Sequence, residues 1–144
     1  MTEQDPANRF GRRSFVILGT GAVVGSTLSA CGNGGNDGEL TEDLDVTLAD
    51  HPDLATEGMT VEIDAGLPCA IAITRTGPND EFAVTGTQCT HEGCCINRSG
   101  AGWACPCHGA RFDLDGTVTA GPAKRDLSVY DYEVVDGVMT IFGK

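Results

Sequence analysis

The sequence predicts an all-β fold, an antiparallel β sandwich or barrel that carries a small subdomain of metal-binding loops at one end. Short apolar or alternating runs bounded by Gly, Pro, Asn or Asp recur beyond the first third of the chain, as expected for strands joined by tight turns. No segment after residue 31 has sustained helical periodicity. Two short runs rich in cysteine and histidine interrupt the strands and indicate a metal centre.

The first 31 residues indicate an export signal and not part of the fold. Arg12 and Arg13, in the run at 11–15, resemble a twin-arginine signal. The sixteen mainly apolar residues at 15–30 are too few to span a bilayer comfortably. A basic leader for the general secretory route is the alternative.

The leader ends in the sequence Leu-Ser-Ala-Cys at 28–31, which resembles a bacterial lipobox. We therefore expect Cys31 to carry a lipid that tethers the protein to the outer face of the cytoplasmic membrane, on the periplasmic or extracellular side. A cysteine placed there by chance is the alternative.

Beyond the leader, residues 32–42 predict a flexible glycine-rich linker, and residues 43–144 predict a single domain. Without its first 31 residues the chain has 113, enough for one core but near the size at which metal ligands and disulfides help. Seven cysteines suit an exported protein, in which disulfides persist.

The charge is strongly acidic. Residues 32–144 contain six basic and 19 acidic residues, a net charge of −13. Such a surface repels nucleic acid and anionic lipid headgroups, and it favours a partner protein with a positive face. Solubility alone is the alternative explanation.

Six runs are candidate strands, at residues 70–74, 82–85, 103–105, 118–120, 132–135 and 138–142. Asp136 and Gly137 separate two of these runs and predict a two-residue hairpin turn. Asp115 and Gly116 predict another. Short strands joined by such turns give the antiparallel sandwich or barrel.

Two similar runs carry the metal-ligand chemistry. Residues 89–94 have the sequence Cys-Thr-His-Glu-Gly-Cys and residues 105–109 the sequence Cys-Pro-Cys-His-Gly. Two irons of a [2Fe-2S] cluster need four protein ligands beside the bridging sulfides. The candidate ligands are Cys89 and Cys105 for one iron, and His91 and His108 for the other. A tetrahedral zinc site is the alternative, although its usual spacing pairs Cys with Cys and His with His.

These runs resemble the Rieske iron-sulfur family, whose pattern is Cys-x-His, a spacer, and Cys-x-x-His with an extra cysteine in each loop. The resemblance covers about residues 43–142 and is most specific over 89–123. It implies a Rieske-type 2Fe-2S cluster and a disulfide between Cys94 and Cys107 that ties the loops together. The short spacer implies a tight hairpin over 97–102. The stretches 48–54 and 61–63 resemble the opening strands of the family.

Two cysteines remain after these assignments, Cys69 and Cys95. A second disulfide between them would anchor the first loop to the strand that begins near residue 70. Two buried free thiols are the alternative, and we favour the disulfide.

Three residues depart from the quinol-oxidising members of the family. Ala110 and Phe112 stand where those members have serine and tyrosine hydroxyls that donate to cluster sulfur. Because such hydrogen bonds stabilise the reduced cluster, their absence predicts a lower potential. Glu92 replaces an apolar residue, and its carboxylate disfavours both reduction and docking in an apolar quinol pocket. We expect an intermediate-potential carrier.

The resemblance therefore implies one-electron transfer by a membrane-tethered, exported protein, between a membrane or exported oxidoreductase and a carrier such as a cytochrome. The alternative is the Rieske subunit of a quinol-cytochrome c oxidoreductase (a cytochrome bc complex) or of an exported molybdenum oxidase. A cytoplasmic ferredoxin is disfavoured by the leader and by the paired extra cysteines. No residue set points to independent bond-making chemistry, so activity as an enzyme would require a partner.

Overall fold

The computed structural model describes residues 38–144. These residues form ten short strands and two 3-10 turns, without an α-helix, and all their strand pairings are antiparallel. The predicted all-β class is therefore confirmed. In this part of the chain, no helix is long and apolar enough to cross a bilayer. The twin-arginine run, Cys31 and residues 32–37 of the expected linker lie outside the described residues.

Two three-stranded sheets form the part of the domain that we call the base. The first contains β1 (Leu44–Thr47), β9 (Tyr132–Val135) and β10 (Val138–Ile141), and the second contains β2 (Thr60–Ile63), β3 (Ile71–Arg75) and β4 (Phe82–Gly86). In the first sheet β10 lies between β1 and β9, and in the second β3 lies between β2 and β4. Asp136 and Gly137, with φ of 50° and 79°, form the predicted two-residue turn between β9 and β10.

A third sheet forms what we call the loop subdomain. Its strands β5 (Asn97–Ser99), β6 (Gly102–Ala104), β7 (Arg111–Asp113) and β8 (Val118–Ala120) pair in sequence order. The hairpin expected over 97–102 joins β5 to β6. Three connections matter for the site, and they are loop 1 (residues 89–95) after β4, loop 2 (105–110) between β6 and β7, and loop 3 (121–125) after β8.

The strand directions bring these loops to one end of the domain, which we call the loop end. β4, β6 and β8 each lead directly toward a loop. The N–H of Gly86 donates to Ser128 O and the N–H of Tyr130 donates to Val84 O, so the chain there runs antiparallel to β4, away from the loop end. The turn between β9 and β10 therefore lies at the opposite end of the base.

Two hydrophobic cores meet at β3, which is buried on both faces. Ile71 and Ile73 belong to the base core together with Val84 and Met139. Ala72 points the other way, into a second core below the loops. Because both faces of the strand are covered, β3 is a nearly continuous apolar run and not an alternating one.

The prediction of an opening strand at 48–54 is wrong. Two 3-10 turns occupy this stretch, at Leu48–Asp50 and Pro52–Ala55. Pro52 begins the second turn, where its missing N–H costs no helical hydrogen bond and its fixed φ suits the conformation. The opening strand is instead β1, just upstream. The expected strand at 61–63 lies within β2.

Residues 38–42, which we call the entry arm, pack against the base, so the expected flexible linker does not include them. Leu40 is 7% exposed and belongs to the base core. Its N–H donates to the hydroxyl of Tyr130 at 3.2 Å. Its carbonyl accepts the N–H of Lys144 at 2.8 Å.

The entry arm begins at the loop end. The N–H of Gly38 donates to Gln88 Oε1 at 2.8 Å, and Gln88 directly precedes loop 1. A Cβ at Gly38 would lie 2.8 Å from both that oxygen and a ring carbon of Pro68, so this position accepts only glycine without a shift. The chain therefore enters the domain next to the first Cys/His loop.

We predict that Leu40→Ala lowers the free energy of unfolding by about 2–3 kcal/mol, because it removes a buried side chain and leaves a cavity. The exposed neighbouring substitution Thr41→Ala should cost less than about 0.5 kcal/mol. Urea denaturation followed by circular dichroism measures both. Equal, small losses would show that the entry arm is not part of the cooperative fold.

Candidate metal centre

The two Cys/His loops share one backbone design. In loop 1 the N–H of Cys89 donates to Cys94 O at 2.8 Å, and the N–H of Gly93 donates back to Cys89 O at 2.8 Å. In loop 2 the N–H of Cys105 donates to Ala110 O at 2.8 Å, and the N–H of Gly109 donates to Cys105 O at 3.0 Å. Each loop is thus closed on its first cysteine.

Glycine occupies the same place in both loops, four residues after the first cysteine. Gly93 has a φ of 75° and Gly109 a φ of 78°, a left-handed conformation that favours glycine. The two glycines therefore allow each loop to make the turn that holds its Cys and His side chains.

The thiols of Cys89 and Cys105 are free and lie inside the domain, 2% and 4% exposed. They border the second core, which contains Trp103, Phe112 and Ala110. Burial raises the pKa of the Cys89 thiol, and the adjacent Cys105 thiol raises it further, whereas backbone N–H groups in loop 1 lower it. Two adjacent thiolates at this depth therefore need a cation beside them, as metal ligation provides.

The imidazoles of His91 and His108 lie at the surface and face each other. Their ring centroids are 4.9 Å apart and their planes are nearly perpendicular, at 87°. Glu92 Oε2 lies 3.6 Å from His108 Nδ1, and both side chains are about half exposed, at 60% and 46%. A negative charge thus stands at the rim of the site.

The donor atoms fall into a sulfur set and a nitrogen set. Within the described residues, the groups of three or more donors within 4.8 Å of one another are Cys94, Cys105 and Cys107, and His91, Glu92 and His108. Neither group combines a thiol with an imidazole. The donors of one tetrahedral zinc ion would all lie closer than this to one another, at metal distances of about 2.0–2.3 Å. Cys94 and Cys107 are bonded to each other, so the available donors are the buried thiols of Cys89 and Cys105 and the surface imidazoles of His91 and His108. A thiol end and an imidazole end fit a cluster of two irons, so the residues present suit this cofactor.

Two disulfides frame the loops. Cys94 is bonded to Cys107, which joins loop 1 to loop 2, and these two sulfurs are therefore not available as metal ligands. Cys69 is bonded to Cys95, which attaches the end of loop 1 to the segment before β3. The structure contains the disulfide that the resemblance implied and also the second one that we favoured.

Polar contacts outside the Cys/His runs also hold the loops. Thr90 Oγ1 donates to Arg125 O at 2.6 Å and so ties loop 1 to loop 3. A cavity of about 570 Å³ opens beside this contact, between loop 1, loop 3 and the entry arm, and His91 and Glu92 line it. Sequence reasoning missed Thr90 and Gln88, because a polar residue on either side of a cysteine has no distinctive signal.

The remaining candidate residues are placed as follows. Ala110 and Phe112 are fully buried in the second core, 0% and 1% exposed. Trp103 packs in the same core, and its Nε1 has no hydrogen-bond partner among residues 38–144. His51 lies between the two 3-10 turns of the base and takes no part in the loops.

The domain is all-β, two free thiols are buried inside it, and two imidazoles face each other at its surface. This set of donors is the one that an iron-sulfur electron-transfer protein with mixed Cys/His ligation uses. The family described as "Rieske [2Fe-2S] domain" matches residues 45–131. The chain therefore belongs to the Rieske [2Fe-2S] domain family, and its cofactor is a Rieske-type 2Fe-2S cluster.

Relatives and solved structures agree with this assignment. The chain is 42% identical over 66 residues to the ubiquinol-cytochrome c reductase iron-sulfur subunit of Blastochloris viridis, covering 44% of this chain and 37% of that protein. It is 30% identical to the cytochrome b6-f complex iron-sulfur subunit 2 of Nostoc sp., covering 90% of this chain and 83% of that protein. The crystal structure of the plasma membrane Rieske protein PetC3 from Synechocystis superposes with a TM-score of 0.52 and 31% identity, covering 65% of this chain and 93% of that one.

We predict different roles for the two disulfides. Cys94→Ser with Cys107→Ser separates the loops, and we expect loss of bound iron, measured as iron per protein after gel filtration. Cys69→Ser with Cys95→Ser releases a constraint across 26 residues and should lower the free energy of unfolding by about 3–4 kcal/mol while the cluster is retained. Equal iron loss in both double variants would contradict this division.

Proposed function

We propose that the protein is a stand-alone electron carrier, tethered to the outer face of the cytoplasmic membrane, that passes single electrons between a membrane or exported oxidoreductase and a carrier such as a cytochrome. When bound, the cluster supplies one-electron oxidation and reduction. The observation that carries the proposal is the arrangement of the donors, with thiols inside and imidazoles at the surface. A partner that docks at the loop end reaches the imidazole side directly.

The proposed ligands are Cys89 and Cys105 at the inner end, and His91 and His108 at the rim. All four sit on loops closed by the same hydrogen bonds, and the Cys94–Cys107 disulfide fixes one loop against the other. This framing holds the ligands in place while leaving the imidazole side accessible.

The potential of this carrier is expected to be intermediate. Ala110 and Phe112 pack in the core beside both buried thiols and bring no hydroxyl to it. The carboxylate of Glu92 stands at the rim and opposes the addition of an electron nearby. These three residues argue against high-potential quinol oxidation.

A second candidate is a subunit of a quinol-cytochrome c oxidoreductase. The names of the relatives favour it, since they are iron-sulfur subunits of ubiquinol-cytochrome c reductase and cytochrome b6-f complexes. An exported molybdenum oxidase subunit has no such support. The residues at 92, 110 and 112 make the stand-alone carrier our choice.

The membrane tether rests on the sequence of the leader. The twin-arginine run favours export of a folded, cofactor-loaded protein, and Cys31 is the proposed site of the lipid. Both features lie outside the described residues, so the support for them is the match to the two signals.

We predict that His91→Ala or Cys105→Ala abolishes the rhombic electron paramagnetic resonance signal of a reduced Rieske cluster, because each removes one of four ligands. His51→Ala is the matched control, since it removes the third histidine of the chain from a place away from the loops. Retention of an unchanged signal in His91→Ala, or its loss in His51→Ala, would refute the ligand set.

We predict that Ala110→Ser raises the midpoint potential, because an added hydroxyl donor stabilises the reduced state. A net gain of about 0.5–1.5 kcal/mol for one hydrogen bond corresponds to about 20–65 mV for a one-electron couple. Redox titration measures the shift. Ala72→Ser, at an equally buried alanine of the same core, controls for added polarity alone. An unchanged or lower potential for Ala110→Ser would count against this account of tuning.

A further inference from the structure

The charge of the domain is divided unevenly between its two ends. Residues 38–144 contain 18 acidic and six basic residues, a net charge of −12. The segments at the loop end, which are loops 1 to 3 and the first residue of β7, contain three cations and one carboxylate, a net charge of +2. The rest of the described chain carries 17 acidic and three basic residues, a net charge of −14.

The three cations lie on segments next to the candidate metal centre. Arg125 lines the cavity that also contains His91 and Glu92, and its carbonyl is bonded to loop 1. Lys124 precedes it in loop 3, and both side chains are exposed. Arg111 is exposed at the end of loop 2 and pairs with Ala120, the residue that leads into loop 3.

Three carboxylates lie close to these cations. Glu39 lines the same cavity as Arg125 and is paired with Lys144 at 3.3 Å. Asp126 follows Arg125 and accepts the N–H of Val118 at 2.8 Å. Glu92 lies 3.6 Å from the His108 ring and so faces the site itself. The three cations have no ion-pair partner within 4 Å among residues 38–144, whereas Arg75 and Lys144 of the base do. Their charge is therefore available to a docking protein.

The distance between the ends decides which charge a partner meets. A domain of about 100 residues has a radius of gyration of about 13 Å, so its two ends are about 30 Å apart. The Debye length at physiological ionic strength is about 8 Å. A partner in contact with the loop end is therefore screened from the acidic groups at the far end of the base and meets the three cations, which have no ion-pair partner among residues 38–144.

We propose that the redox partner docks at the loop end through an acidic face, with Lys124, Arg125 and Arg111 as the cations that meet it. The acidic base turns an acidic partner away from every other side, so it helps to orient the encounter. Net charge alone favours a partner with a positive face, but the placement of the charges points to the opposite sign at the site of electron exit. This inference rests on the proposed electron-transfer function.

The test measures electron exit to two small oxidants of opposite charge. The full-length protein with its cluster is reduced and mixed in a stopped-flow instrument, at about 0.1 M ionic strength, where the Debye length is about 10 Å, with hexacyanoferrate(III), a trianion, or tris(phenanthroline)cobalt(III), a trication. One electron passes from the protein to each oxidant, giving hexacyanoferrate(II) or cobalt(II). Midpoint potentials are measured for every variant, so that changes in driving force are subtracted.

The variants are matched in net charge. Lys124→Gln with Arg125→Gln removes two positive charges from the loop end, and Ala55→Glu with Val135→Glu adds two negative charges at exposed positions toward the opposite end of the base. We expect the loop-end variant to slow reduction of the trianion by about threefold to tenfold and to speed that of the trication. The base variant should change either rate by less than about 1.5-fold.

Equal rate changes in both variants, or none in either, would overturn the proposal. So would weaker binding of the loop-end variant to phosphatidylglycerol vesicles with an unchanged trianion rate, because the cations would then be a lipid contact. Failure of the proposed function is a separate result, since a protein without a Rieske resonance signal, or one that reduces neither oxidant, shows it before any variant is compared.

Discussion

The pairing of two identically closed loops is the constraint on which the rest of the structure depends. A cluster with sulfur ligands at one end and nitrogen ligands at the other tolerates little change in the separation of its ligands. Backbone hydrogen bonds fix each loop on its own first cysteine, and the bond between Cys94 and Cys107 fixes the loops on each other. The sheets position the loops, because β4, β6 and β8 all end at the same side of the domain.

The second core explains how a small domain maintains such a site. Ala72 allows the loop subdomain to approach β3 closely, because a larger side chain there would push the two cores apart. Arg98 adds a link, since its guanidinium stacks on Trp103 at 5.9 Å and donates to Gly58 O in the base at 3.2 Å. The loops thus rest on a rigid support.

Much of the fold and the site was accessible from sequence, and the misses have physical reasons. The apolar runs predicted six strands, whereas β5 and β7 have too few apolar residues to be recognised, since Asn97–Ser99 is exposed along its whole length. The fold class followed from these short runs and the turns between them, and the cofactor followed from the Cys/His pattern, which reflects local turn chemistry. The entry arm was missed because the glycine-rich stretch before it hides the single buried residue, Leu40, whose partners lie about 90 or more residues away. The composition gives the net charge, but it does not show that the three cations lie at the loop end, because that position depends on the topology of the strands.

The position of the entry arm has a consequence for the proposed membrane tether. Six residues, 32–37, lie between Cys31 and Gly38, and the chain from one to the other spans at most about 25 Å when fully extended. With a lipid at Cys31, such a short connection would keep the loop end close to the bilayer surface. The domain would then meet its partner by diffusion in two dimensions. Confinement of this kind would raise the effective concentration of a partner in the same membrane. A modest affinity would then suffice for rapid turnover.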